Sequence, residues 1–317
     1  MRRSNKLIIG TRGSPLALWQ SDWVKSALQD RRADFQVEMK IIHTQGDKIL
    51  DSARSKIGDK GLFTKEIEQH LLDGDIDLAV HSHKDLPTVS PEGLCIVAIP
   101  QREDPSDCLV SKREIQMDEN DSLSPVMQLL AGAKILTGSL RRAAQLRHIR
   151  SDLQTEDVRG NVQTRLEKFD QGDAEAMVMA TAGLKRLGLN DRIACQLDPI
   201  AFLPACGQGA LAIQCCEGDE QTVQKVKPLD DANSRMAVGA ERSMLAVLEG
   251  GCQVPIGGYA RLHNDELTLW GMIASLDGRS YISHHATGPK DRAEDLGRQV
   301  AQYLLDHGGR SILAELS

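Results

Sequence analysis

No stretch of this 317-residue chain approaches the roughly 20 consecutive apolar residues that span a bilayer, so no membrane-embedded segment is expected. A basic excess is missing too. The 38 Lys and Arg against 45 Asp and Glu give a formal charge of -7, which suits neither nucleic acid nor an anionic lipid surface. No Gly-x-x-x-x-Gly-Lys-Ser/Thr loop occurs, which argues against a nucleoside triphosphate. No Cys or His spacing suits zinc, and His81 and His83, two apart on a strand, point to opposite faces, so no metal site is expected. Behind Arg2-Arg3 stand only Leu7-Ile8-Ile9, too short for the apolar region of a signal peptide. The seven cysteines are odd in number and include the adjacent Cys215-Cys216, which does not read as a disulfide framework. There is no fixed-period repeat and no low-complexity tract. These absences leave a soluble cytoplasmic protein with small-molecule partners, long enough for two or three domains.

What is present is an alternation of short β-branched runs with helical patterns. Lys6 to Gly10 reads as a strand. Ser14-Pro15 then caps a helix to about Arg31, with Leu16, Trp19, Trp23 and Ala27 on one face. Strands are expected at Gln36 to Thr44, Asp77 to His81 and Leu94 to Ile99, and a helix at Phe63 to Leu72. The polar run Gln101 to Asp107 marks a domain crossing. A second set follows, with strands at Lys134 to Thr137, Thr155 to Val158 and Ala174 to Met179 and helices at Ser139 to Arg150 and Val162 to Asp170. Ala210 to Cys215 is one more buried strand, returning to the first domain. A helix from Ser234 to Leu248, three strands between Gly258 and Ala286 and a helix from Asp291 to Leu305 make a smaller unit. The expected fold is α/β: two hinged, doubly wound α/β domains and a small α+β third domain. The expected boundaries are 1–105 with 205–229, 106–204, and 230–317. Residues 117–124 read as a mobile loop, and 111–134 as a surface insertion.

Three groups of residues carry chemistry. Gly250-Gly251-Cys252-Gln253-Val254-Pro255 surrounds a thiol with little bulk and a fixed exit, so Cys252 is displayed as a nucleophile or attachment point unless it is a small apolar residue in a turn. Cations recur at strand-to-helix junctions: Arg12 before Ser14, Arg141 and Arg142 after Ser139, Arg159 and Arg165 around a helix start, and Lys185-Arg186. Helix N-termini already favour anions, and a first-turn cation opposes the dipole by about 0.3–1 kcal/mol, so these positions call for an anion. Guanidinium forks at the carboxyl ends of strands imply a ligand with several separate acid groups. Finally, His81-Ser82-His83-Lys84-Asp85 ends a buried strand. There Asp85 could hold a cation, take a proton or orient an N–H donor, and Lys84 could bind an acid group; a surface ion pair is the plain alternative. The segment 45–61, with Lys56 and Lys60 among glycines, is long for a connection and reads as a lid over an anion.

The ordered set Thr11-Arg12-Gly13-Ser14-Pro15, His81 to Pro87, Ser139-Leu140-Arg141-Arg142, Arg159-Gly160-Asn161, Ala182 to Gly188, Gly207-Gln208-Gly209-Ala210 and Glu249-Gly250-Gly251-Cys252 resembles the porphobilinogen deaminase (hydroxymethylbilane synthase) family over essentially the whole chain. The resemblance implies two domains like type II periplasmic binding proteins and a third that carries a cofactor. It implies an enzyme of tetrapyrrole biosynthesis that condenses four porphobilinogen molecules head to tail with loss of ammonia and frees hydroxymethylbilane by hydrolysis. The primer would be a dipyrromethane cofactor bound by a thioether to Cys252. Asp85 would stabilise positive charge at pyrrole N–H groups. Arg12, Lys84, Arg141, Arg142, Arg159, Arg165 and Arg186 would bind acetate and propionate groups, Ser14, Ser82, Thr137 and Ser139 would add hydroxyls, and Lys56 and Lys60 would sit in the active-site loop. A monomer is implied on the same ground. Gly13, Asp59, Leu136 and Gly138 depart from the family's commonest pattern, which touches loop mobility and one cofactor hydrogen bond but leaves the arginines in place.

Two rival readings make opposite demands. A hinged, non-catalytic binding protein for an anionic metabolite predicts an unmodified Cys252. A cysteine-dependent acyl or thiol transferase needs a base for the thiol, and no His lies near Cys252 in sequence.

Overall fold

The computed structural model describes residues 6–44, 64–118, 120–248 and 254–316. Lys56, Lys60 and Cys252 lie outside the described residues. In chain order the elements begin with β1 (Lys6–Thr11), α1 (Pro15–Arg31), β2 (Gln36–Ile41), α2 (Lys65–Leu72), β3 (Leu78–Ser82), β4 (Leu94–Ala98) and β5 (Asp107–Ser111). There follow α3 (Ser124–Met127), β6 (Lys134–Leu136), α4 (Leu140–Ile149), β7 (Gln154–Glu156), α5 (Val162–Gln171), β8 (Ala176–Ala180), α6 (Thr181–Arg186) and β9 (Cys195–Gln196). The chain continues through β10 (Leu211–Cys216), α7 (Glu220–Val226), α8 (Ala232–Val247), β11 (Ile256–His263), β12 (Glu266–Ala274), β13 (Tyr281–Pro289), α9 (Ala293–Leu304) and α10 (Arg310–Leu316).

One compact unit comprises Met1–Arg102 with Ala210–Arg235. Its sheet has the order β2-β1-β3-β10-β4, in which β1 runs parallel to β2 and β3 while β10 is antiparallel to β3 and β4. Leu7, Ile9, Val24, Leu28, Val37, Leu78, Val80, Leu211 and Ile213 form its main core. The α1 face differs from the one the apolar spacing predicts. Trp19 and Trp23 are exposed, and the helix buries Gln20, Ser21, Val24 and Leu28. A tertiary bond accounts for part of this: Gln20 Nε2 donates to Ser82 Oγ at 2.9 Å, which draws a polar residue inward at the end of β3.

His81, on β3, is buried against Gln214 of β10, with 3.0 Å between Nε2 and Oε1. Burial pushes its imidazole down to about 4 from 6.5, with the Gln214 bond working against that shift. The folded value lies below the unfolded one, so the unfolded chain takes up the extra proton between them. The stabilising effect of neutral His81 is therefore full above about pH 6.5 and is lost as pH falls toward 4. We expect about 3 kcal/mol of unfolding free energy to disappear over that window from this group. Urea titrations at several pH values check this: His81→Gln should flatten that part of the slope, and an unchanged slope would clear His81 as its cause.

The other unit comprises Glu103–Gly209 with Met236–Ser317 and holds two sheets. The larger, β7-β6-β8-β5-β9, has β6 parallel to β7 and β8 and the crossing strand β5 antiparallel to β8 and β9. This repeats the order of the first sheet strand for strand. In both, the antiparallel strand is the one that follows a chain crossing, β10 in one and β5 in the other. The smaller sheet, β11-β12-β13, is an antiparallel meander packed on α8 and α9 through Met244, Leu267, Leu269, Leu296 and Val300. The turn between β12 and β13 rests on α4. Arg147 Nη1 donates to Leu276 O at 2.6 Å, and the His148 ring stacks on Tyr281 with centroids 4.2 Å apart.

The segment expected to be a surface insertion is not entirely one. Val126 of α3 and Leu129 belong to the core of the larger sheet, beside Leu109, Ile135 and Leu146. Pro125 stands in the first turn of α3, and the helix buries it with Ser124 and Val126.

Candidate active site

In both mixed sheets the sequence-predicted polar residues follow the carboxyl ends of parallel strands, the place where open α/β sheets present ligand sites. In the first unit β1 and β3 are neighbours, so Arg12 and Ser14 after β1, Ser82 at the end of β3 and Lys84 and Asp85 beyond it share one sheet edge. Ser14 is the N-cap of α1, its Oγ accepting from Ala17 N at 3.4 Å. Lys84 and Asp85 lie in a 3-10 turn over His83–Asp85, with Lys84 half-buried and Asp85 exposed. The buried His83 precedes them and its backbone N–H donates to Ala210 O, which ties the turn to β10.

In the second unit Thr137, Ser139, Arg141 and Arg142 follow β6, Arg159 and Arg165 follow β7, and Arg186 closes the helix after β8. Ser139 caps α4 by accepting from Arg142 N at 3.5 Å, and Thr137 Oγ1 accepts from Ser139 N at 3.2 Å. Arg159 donates through Nε to Asp157 Oδ2 at 2.6 Å, and Arg165 through Nε to Gly160 O at 2.8 Å. Both remain half-buried.

Arg141 and Arg142 are 5% and 6% exposed, and the anion their first-turn positions call for is inside the chain. It is Asp107, the first residue of β5, with no exposed surface. Arg141 Nη1 donates to Asp107 Oδ2 at 2.8 Å and to Leu203 O at 2.6 Å. Arg142 donates to Asp107 Oδ1 through Nη2 at 2.8 Å and Nε at 3.1 Å, and to Val178 O through Nη1 at 3.2 Å. Gln208 Nε2 adds a bond to the same Oδ1 at 2.8 Å, and Gln208 Oε1 accepts from Arg142 Nη2 at 3.4 Å. Burial by itself would raise the Asp107 carboxyl, but the two guanidiniums outweigh it and hold it well below the usual carboxylate range. Sequence reading missed Asp107 and the bonding role of Gln208. Asp107 sits at the end of a polar run that resembles a surface turn, and the available signal was the apolar Cys108-Leu109-Val110 directly behind it.

The cluster still carries one positive charge in excess, two guanidiniums against one carboxylate. Arg141 Nε is buried without a hydrogen-bond partner among the described residues. Arg186, 9% exposed, donates through Nη2 to Gly209 O at 2.7 Å, and burial pushes it down to about 10 against the pull of Glu103. Gly209 also lets its segment pass close to the backbone of Glu103 and Asp104. Its φ of 84° is left-handed, and a Cβ there would run into the carbonyl oxygen of Glu103. Gly209→Ala should therefore lose about 2–4 kcal/mol of stability. Thermal unfolding would register this as a midpoint several degrees lower, and an unchanged midpoint would show the two crossing segments free to separate.

Among the described residues no group of three or more His, Cys, Asp or Glu could hold a metal ion. The six described cysteines are all buried or half-buried. Burial raises Cys108 and Cys215 to about 12 and Cys195 to about 11, which keeps these three as neutral thiols.

Residues 7–224 match the family model described as porphobilinogen deaminase, dipyromethane cofactor binding domain, and residues 236–306 match the porphobilinogen deaminase C-terminal domain. The porphobilinogen deaminase of Chlorobium phaeobacteroides is 47% identical over 315 residues, 98% of each chain. That of Syntrophotalea carbinolica is 49% identical over 313 residues, 99% of this chain and 96% of its own. Among solved structures, an ancestral cationic amino acid solute binding protein aligns at 14% identity with a TM-score of 0.44, over 71% of this chain and 88% of its own. With two family models covering most of its length and near-half identity to full-length relatives, the chain belongs to the porphobilinogen deaminase family.

Proposed function

We propose that this chain is a hydroxymethylbilane synthase: it condenses four porphobilinogen molecules head to tail, releases ammonia at each addition, and frees hydroxymethylbilane by hydrolysis. The observation that carries the reading is the buried Arg141–Arg142–Asp107 cluster. It has one guanidinium charge beyond what its carboxylate neutralises and an unpartnered Arg141 Nε among the described residues. A buried donor of that kind fits a ligand carboxylate, and the substrate brings an acetate and a propionate on every ring.

The same donor set fits the family's dipyrromethane cofactor, which carries such acid groups. Arg12, Lys84, Arg141, Arg142, Arg159, Arg165 and Arg186 would hold them, with Ser14, Ser82, Thr137 and Ser139 as hydroxyl partners and Cys252 as the covalent anchor. When bound, that group supplies the primer to which substrate units are added. The burial of the other six cysteines supports Cys252 as the anchor. Lys56 and Lys60 would bring further cations from the 45–61 segment. Asp85 would accept pyrrole N–H bonds and favour the positive charge that develops as ammonia departs, and its exposure at the turn supports that role. The boundaries 1–105 with 205–229, 106–204, and 230–317 remain our division of the chain, and the three sheets support it.

We further read the chain as a cytoplasmic monomer that binds no nucleic acid. The net charge of -7 supports the absence of nucleic acid, and among the described residues no helix is long and apolar enough to cross a membrane. Incubating purified protein with porphobilinogen tests the central reading. Ammonia and a linear tetrapyrrole should appear in a 4:1 ratio, and their absence from protein that retains a pyrrole adduct would refute it.

A further inference from the structure

We propose that Asp107 is the positioning residue of the anion site, fixing the planes of both arginines so that one of them keeps an edge for the ligand. The inference rests on the reading that Arg141 and Arg142 serve the acid groups of pyrroles. Two adjacent guanidiniums with the same sign repel each other, and each has long, rotamer-rich stems. One buried carboxylate settles both. Asp107 gives Oδ2 to Arg141 and Oδ1 to Arg142, and Gln208 fills the remaining acceptor direction of Oδ1.

The outcome for the two arginines is unequal. Arg142 spends Nε, Nη1 and Nη2 on Asp107, Val178 O and Gln208, so its fork is locked inside the unit. Arg141 spends only Nη1, on Asp107 and Leu203 O, and its Nε is left without a partner among the described residues. Arg142 therefore meets an acid group only through nitrogens already bonded inside the unit, and Arg141 is the guanidinium whose Nε side is kept for a carboxylate. Asp107 itself touches no ligand. It acts through Arg141 by geometry, and a misplacement of about 1 Å in such a clamp is worth roughly a hundredfold in rate.

A purely structural counter-charge would behave differently under conservative exchange, and that difference is the test. Full-length wild type, Asp107→Asn, Asp107→Glu and Gln208→Met are compared for porphobilinogen turnover, thermal midpoint and covalent pyrrole by intact mass. The wild type is the control for the underlying reading: if it fails to consume porphobilinogen, that reading falls and this inference falls with it. With an active wild type, Asp107→Asn should lower kcat/KM by about a hundredfold. Asp107→Glu restores the charge but displaces the fork by one methylene. It should regain most of the thermal midpoint while kcat/KM stays at least about tenfold down, chiefly through KM. Gln208→Met leaves every charge in place and should raise KM several-fold. Asp107→Asn within threefold of wild type overturns the proposal. So does a Glu variant in which midpoint and kcat/KM recover together. If neither Asp107 variant folds, an unchanged KM in Gln208→Met overturns it and a raised one supports it.

Discussion

Asp85→Asn is expected to leave the fold intact and to lower porphobilinogen turnover by about a hundred- to a thousandfold, the scale seen when a preorganised electrostatic partner of a transition state is removed. The exchange is nearly isosteric and keeps one acceptor oxygen, so it isolates the negative charge. Asp85 is exposed at the end of a 3-10 turn whose anchoring runs through the backbone of His83, so little stability depends on its carboxylate. The effect on chemistry is large because ammonia leaves with the bonding pair and the pyrrole ring takes up the positive charge. A fixed carboxylate accepting the ring N–H favours that charge, whereas an amide oxygen offers only a dipole. Steady-state turnover, circular dichroism and intact mass are measured on one preparation. Retained pyrrole adduct with lost turnover is the expected pair of results, and turnover within tenfold of wild type would remove Asp85 from the mechanism.

The parallel strands and their helices were legible because their periods are local. β1, β3, β6 and β8 lie within a few residues of where apolar runs place them, Ser14 caps its helix as spacing predicts, and the helices capped by Ser139 and Asn161 start within one residue of the expected position. Local pattern failed where a polar side chain has a distant partner. The α1 face came out wrong because Gln20 is bonded to Ser82, 62 residues away. Asp107 was passed over as a turn residue because its three side-chain partners, Arg141 and Arg142 of α4 and Gln208, lie 34 or more positions along the chain. The first-turn arginines could be read as demanding an anion, but the sequence does not say whether that anion is a ligand or an aspartate. The structure supplies an aspartate and leaves one positive charge over, and that surplus supports our reading of the cluster as a site for an acid group as well as a structural pair.

Cys252→Ala should abolish both the adduct and the activity, and the two losses have one cause. Of the seven cysteines, the six described are buried or half-buried, and three of them are pushed by burial to about 11 or 12. At neutral pH a thiol raised that far is almost wholly protonated and a poor nucleophile. Cys252, between Gly250-Gly251 and Pro255, is the thiol with least bulk around it in sequence. An enzyme that lengthens a tethered chain keeps no growing product once the tether is gone, because each addition would have to be followed by recapture from solution. The variant's intact mass should therefore equal the sequence mass after expression in a tetrapyrrole-producing host, with turnover below about one part in a thousand of wild type. The lost contribution of the bound group to stability is a ligand-type effect, so a lower thermal midpoint in the variant should also appear in wild type made without its adduct. A pyrrole adduct surviving denaturation of Cys252→Ala would move the anchor to another residue, which peptide mapping would identify.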